Sequence, residues 1–130
     1  MSNTKELIRD ATELYNGIIR TAALQNQNQK KAKKRALNTV EKAFRDLLID
    51  LRYNNISIED IRKRLLSMFQ EAAIKSQLGQ ISFSKINEIS KKLASLSFKK
   101  LNKYSKNHTD MIRFLEYSIM KIKIENAFSI

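Results

Sequence analysis

Proline is absent from this 130-residue chain, and glycine occurs only twice, at Gly17 and Gly79. Average chains carry about 5% proline and about 7% glycine, so the chain reads as almost wholly helical with short polar connections. The scarcity of glycine also excludes phosphate-cradling loops: neither a Walker sequence nor a dinucleotide fingerprint can be written here. Without cysteine there are no disulfides, no thiol catalysis and no Cys-based zinc site, and the single His108 cannot build a His-rich metal site. Carboxylate-only sites find no EF-hand spacing. Glu13, Glu59 and Asp60 stand in capping or surface contexts, so the chain is expected to be no enzyme and to take neither cofactor nor small-molecule substrate. No run approaches the roughly 18 apolar residues of a membrane span, and no charged-then-apolar leader precedes a cleavage site. The expectation is a soluble chain.

What is present is charge of one sign. The net charge is +12 and the isoelectric point near 10.0, on a chain that is 42% hydrophobic and so able to fold. A basic excess of that size points to an anionic partner, first of all nucleic acid, with an anionic membrane surface as the minor option.

Five helices can be read. The first covers about 4–24, with Asn3 as N-cap, Glu6 three residues on, and a stripe of Leu7, Ile8, Ala11, Leu14, Tyr15, Ile18, Ile19 and Ala22. Gly17 inside it predicts a kink or a close backbone contact. The second runs from about Lys30 to Arg52 on a seam of Leu37, Val40, Phe44, Leu47, Leu48 and Leu51. The third starts from an Ser57 cap stapled by Ile56 and Ile61, carries Ile58, Leu65, Met68, Phe69 and Ala72, and stops at Gly79. Ile81-Ser82-Phe83 repeats that start, which makes helices three and four an antiparallel hairpin. The fifth begins near Asn107 and carries Met111, Ile112, Leu115, Ile119 and Ile122. Its end, Met120 to Glu125, alternates as a strand would, but no second strand is available to pair with it. Ala127, Phe128 and Ile130 leave an apolar end expected to be docked.

The charge is uneven: about zero on helix one, about +1 each on helices three and five, about +5 each on helices two and four. Followed backwards from Leu37, the apolar seam of helix two becomes Lys33 and Lys30, flanked by Lys31, Lys34 and Arg35. Unpaired charge is too costly to bury, so these first turns should project past the bundle. Lysines there oppose the helix dipole, a conflict that a bound phosphate removes. On helix four, Lys85, Lys92, Lys99 and Lys103 recur at spacings of seven, seven and four. They fall within about 40° on a helical wheel, as a ridge flanked by Lys91 and Lys100. Arginines are scattered rather than grouped for guanine contacts, and the aromatics lie on apolar stripes. Backbone binding without sequence reading follows, with strong salt dependence; if all twelve excess charges neutralised phosphates, one subunit would cover on the order of six base pairs.

A neutral first helix, a polar basic turn and a proline-free bundle resemble the major capsid proteins of filamentous archaeal viruses of the rudivirus and lipothrixvirus type. The resemblance implies an all-α fold: an N-terminal helix and basic helical turn followed by a four-helix bundle. It implies an arm over 1–36 that wraps double-stranded DNA, with Arg20 and Lys30 to Arg35 on phosphates, and a bundle over 37–130 that packs into a helical filament. The location would be the virion, and the host cytoplasm during assembly. The partners would be a second copy or a related capsid protein as heterodimer, with a membrane envelope left open. The near-neutral first helix departs from that pattern. Two rival readings are a small helical subunit of an RNA-guided effector complex and a helical protein-interaction module.

Overall fold

Asn3, Ser57 and Asn107 each close a helix start in the way their chemistry allows, accepting the backbone N–H three residues on: Glu6 at 2.8 Å, Asp60 at 3.1 Å and Asp110 at 3.2 Å. From these starts a computed structural model places five helices: α1 (Thr4–Thr21), α2 (Lys30–Tyr53), α3 (Ile58–Lys75), α4 (Phe83–Asn102) and α5 (His108–Ala127). The structure describes residues 3–21, 30–54, 56–75 and 83–128, side chains 32, 72–75, 83, 85 and 86 excepted, and no strand occurs among them. The all-α expectation therefore holds. The alternating segment 120–125 is helical too. The polar joint Gln25–Gln29, the Ser82 cap and the Gly79 stop lie outside the described residues.

Every residue of the α2 seam from Leu37 to Leu51 is buried, as are Leu7, Ala11, Leu14 and Ile18 of α1. These stripes meet in one core with Ile61, Leu65 and Phe69 of α3, Leu93 and Leu101 of α4, and Phe114, Leu115 and Ile122 of α5. Phe44 and Phe69 pack edge to face with centroids 6.5 Å apart. Tyr104 and Phe114 stack at 5.3 Å. Such aromatic pairs add roughly 0.5–1.5 kcal/mol beyond their buried area.

The helices close into a ring in the order α1, α5, α2, α3, α4 and back to α1, with α4 touching α5 only lightly. Cross-contacts fix the directions. Gln70 bonds Asn87 at 3.2 Å while Arg62 meets Phe98, so α3 and α4 form the expected antiparallel hairpin. Arg52 bonds Glu116 at 3.1 Å and Asn126 bonds Asn38 at 2.7 Å, which makes α2 and α5 antiparallel. Asp50 pairs with Arg64 and Phe44 with Phe69, which does the same for α2 and α3. Lys103 reaches Glu6 at 2.9 Å while Gly17 faces Leu96, which opposes α1 and α4. Arg113 bonds Thr4 at 3.0 Å and Lys121 lies over Tyr15, so α1 and α5 run parallel.

Two expectations are modified. The boundary drawn at 36/37 has no counterpart in the packing: Ala36 and Leu37 are both buried, and α1 lies in the same core against α4 and α5. A stripe as long as that of α1 costs too much to leave in water when a partner face is at hand. The apolar end is not docked at Phe128, which is 82% exposed. Ile130 lies outside the described residues.

Candidate nucleic-acid interface

Three helices carry the charge, and the ring makes them neighbours. Basic residues exceed acidic ones by five in α2, by one in α3 and by four in α4, ten of the net +12. Lys103 and Lys106 supply the remaining two, while α1 and α5 are each neutral. The bundle thus has a basic side, α2–α3–α4, and a neutral side, α1–α5.

The start of α2 contains no acid in its first turn. Lys30, Lys31, Lys34 and Arg35 are exposed and Lys33 half-buried, and the next two residues, Ala36 and Leu37, enter the core. In the antiparallel register set by Asn38 and Asn126, the described end of α5 at Phe128 falls level with residue 36. Against α3, the groove that joins Asn38, Thr39 and Lys42 to Glu71 puts the described end of that helix at about the same level. Residues 30–35 therefore extend beyond both described neighbours by about 9 Å at 1.5 Å per residue. The exposed Arg20, in the last turn of α1, belongs to the same end of the bundle because α1 runs parallel to α5.

The ridge read on helix four divides. The Lys85 side chain lies outside the described residues. Lys92 bonds Glu88 one turn earlier at 3.1 Å, and Lys99 is exposed and outside every ion pair among the described residues. Lys103 differs from the rest of the ridge in its contacts. The helix ends at Asn102, although the Lys103 N–H still reaches the Lys99 carbonyl at 3.3 Å. The following turn carries Lys103 across to α1, where its ammonium lies 2.9 Å from Glu6 and 2.8 Å from Asp10. Lys100 joins it, pairing with Asp10 at 3.4 Å and with Glu13. Tyr104 donates its hydroxyl to the same Asp10. Asp10 is 1% exposed. Burial raises its pKa, but the hydrogen bonds from Lys103 and Tyr104 and the charge of Lys100 outweigh that and bring it down to about 2. Lys103 is raised by its bonds to Asp10 and Glu6. These two lysines thus hold α1 in place, and the acids that made α1 appear self-neutral are turned toward another helix.

Residues that helix-by-helix charge counting passed over stand between α3 and α4. Arg62, Lys63, Leu66, Lys91, Ala94, Ser95 and Phe98 line a groove of about 340 Å³. The Arg62 guanidinium lies over the Phe98 ring, 4.4 Å from its centroid. The net charge of α3 is small because Glu59 and Asp60 occupy its first turn, where they suit the dipole. The run Arg62-Lys63-Arg64 was the available signal. Among the described residues no three His, Cys, Asp or Glu side chains come together as a metal site. No described helix is long and apolar enough to cross a membrane.

The chain matches no protein-family model, no curated protein and no solved structure.

Proposed function

We propose that this protein is a structural nucleic-acid-binding protein: a virion major capsid protein that coats double-stranded DNA through phosphate contacts and assembles into a helical filament. The observation that carries this reading is the separation of charge around the ring. The start of α2, which extends beyond its described neighbours, and the adjoining basic side of the bundle offer cations to a phosphate backbone, and the neutral side offers something else. There Ile8 on α1 and Met120, Ile124 and Phe128 on or just past α5 are exposed large apolar residues, as Ile49, Tyr53 and Ile58 are on α2 and α3. A row of exposed apolar groups without surrounding net charge suits a protein contact. The three on α5 recur every fourth residue, the spacing at which ridges of two helices interdigitate. One side then meets DNA and the other meets the next subunit.

Lysine-dominated contacts hold the backbone without reading bases, so affinity falls steeply with salt. The test is titration of linear duplex DNA against the full chain at several salt concentrations, followed by electron microscopy of the mixture. Binding with a steep salt slope and regular filaments are expected. Absence of binding at salt below physiological levels overturns the reading. In the triple variant K30Q/K33Q/K34Q the slope of log affinity against log salt should fall by roughly three, about 0.9 for each phosphate contact removed. Its melting temperature should stay near that of the parent, since these side chains precede the buried seam.

A further inference from the structure

The coat reading uses only phosphates, but the α3–α4 groove also offers an apolar surface to a flat ring. We infer that this groove is a binding site for one unpaired nucleotide, its base stacked on Arg62 above Phe98 and its phosphate held by Lys63 and Lys91.

The composition of the groove selects the ligand. Its floor is Leu66, Ala94 and Phe98, its rim carries Arg62, Lys63 and Lys91, and Ser95 adds a hydroxyl. Among the described residues no carboxylate lines it, and none of the three cations takes part in an ion pair. The two grooves between α2 and α3 differ on this point, since both contain Asp46 and Glu71, which repel an anion. A ligand with one negative end and one flat apolar part fits the first groove and not the others. Its volume of about 340 Å³ lies at the lower end of the 300–1,000 Å³ typical of small-ligand sites.

The stacking geometry narrows the choice further. The Arg62 guanidinium carbon lies over the Phe98 ring, and the residue as a whole is exposed, so the guanidinium is accessible from solvent. A guanidinium plane already braced by an aromatic ring is a platform for a base. Within a duplex both faces of each base are occupied by its neighbours. The platform therefore serves a strand end, a frayed position or a single strand, and not the body of a duplex. The site is distinct from the Lys30–Arg35 end, and the two can fail separately.

The experiment is an NMR titration of the full chain with a 5′-phosphorylated thymidine trinucleotide and, in parallel, with an abasic trinucleotide of the same charge. The base-bearing probe should shift the Phe98 ring and Arg62 Nε signals and bind roughly tenfold tighter than the abasic one. Arg62→Lys keeps the charge but loses the plane, so the preference for bases should vanish while phosphate binding persists. Lys91→Gln should weaken both probes. Duplex binding should be nearly unchanged in Arg62→Lys and reduced in K30Q/K33Q/K34Q. A failed coat reading therefore shows in the second variant alone and a failed groove in the first. Circular dichroism confirms that each variant is folded. Equal affinity for the two probes, an Arg62→Lys variant that retains the preference, or shifts confined to residues 30–35 would each overturn the inference. So would a Phe98 shift produced by anionic phosphatidylglycerol vesicles and not by the trinucleotide.

Discussion

At the scale of single residues, Asp10 is the side chain on which most converges. It is buried, and it takes bonds from Lys100, Lys103 and Tyr104, with Arg9 alongside at 3.6 Å. Its pKa falls from an ordinary 3.8 to about 2 on folding. A carboxylate lowered in the folded state contributes stability that is complete above about pH 5 and lost as pH falls through 2, about 2 kcal/mol over that window. Asp10→Asn should therefore lose about 2 kcal/mol at pH 7 in denaturant unfolding, and its deficit against the parent should close over the same pH range. A constant deficit would mean that the aspartate serves through shape and not charge. Burial and the bond to Asp10 raise the Tyr104 pKa, and Lys103 is raised as well. Both contributions are complete below pH 10 and decline above it. Gly17 is the second decisive residue of the same interface. A Cβ there would overlap Leu96 Cδ2, the end of a flexible side chain, so a small residue can be accommodated and a large one cannot. Gly17→Leu should cost about 1–3 kcal/mol in denaturant unfolding by forcing α1 from α4.

At the scale of elements, the helices were legible because capping and periodicity are local. Asn3, Ser57 and Asn107 could be named as caps from their side chains alone, and the seam from Leu37 to Leu51 from its spacing. Phe44→Ala should cost roughly 3–5 kcal/mol by thermal or denaturant unfolding, since Phe44 is 1% exposed and braced by Phe69. The candidate site was legible only in part, because charge summed along a helix does not say which helix stands beside it. Glu6, Asp10 and Glu13 counted as the partners of Lys5, Arg9 and Arg20, but two of the three cations they meet among the described residues, Lys100 and Lys103, sit on α4 or just after it, and Arg9 is the third. The groove of Arg62, Lys63, Lys91 and Phe98 exists only once α3 and α4 are folded on each other. The strand-like alternation at the end of α5, read as helix for want of a second strand, has a related cause. Lys121 breaks the apolar pattern yet lies along the bundle, over the Tyr15 ring and bonded to Glu125 at 2.8 Å. Its aliphatic stem covers apolar surface that a hydrophobicity pattern credits to solvent.

At the scale of the whole molecule, a chain of net charge +12 repels its own copies everywhere except along the neutral α1–α5 side. Salt should then act with opposite signs on two measurements. If the proposed function holds, raising ionic strength should weaken DNA binding by counterion release and, by screening the repulsion between subunits, favour self-association through Met120, Ile124 and Phe128. Sedimentation of the free protein should show larger species at about 0.5 M than at about 0.05 M salt, where the screening length falls by roughly threefold. Ile124→Lys should remove that trend while leaving duplex affinity at low salt unchanged. A salt-independent monomer in the parent chain would count against the neutral side as the assembly surface.

The ring has an odd number of members, and that parity has an electrical result. Four helices alternating up and down cancel their dipoles, whereas five leave one over, and the parallel pair α1 and α5 is where the excess appears. At the end from which Lys30 projects, three helices finish and two begin. With about half a positive charge at each start and half a negative charge at each finish, that end is left with about half a negative charge. The cluster Lys30 to Arg35 opposes the dipole of its own helix but matches the polarity of the bundle as a whole. A sixth helix would have restored the balance and made the same cluster harder to keep there.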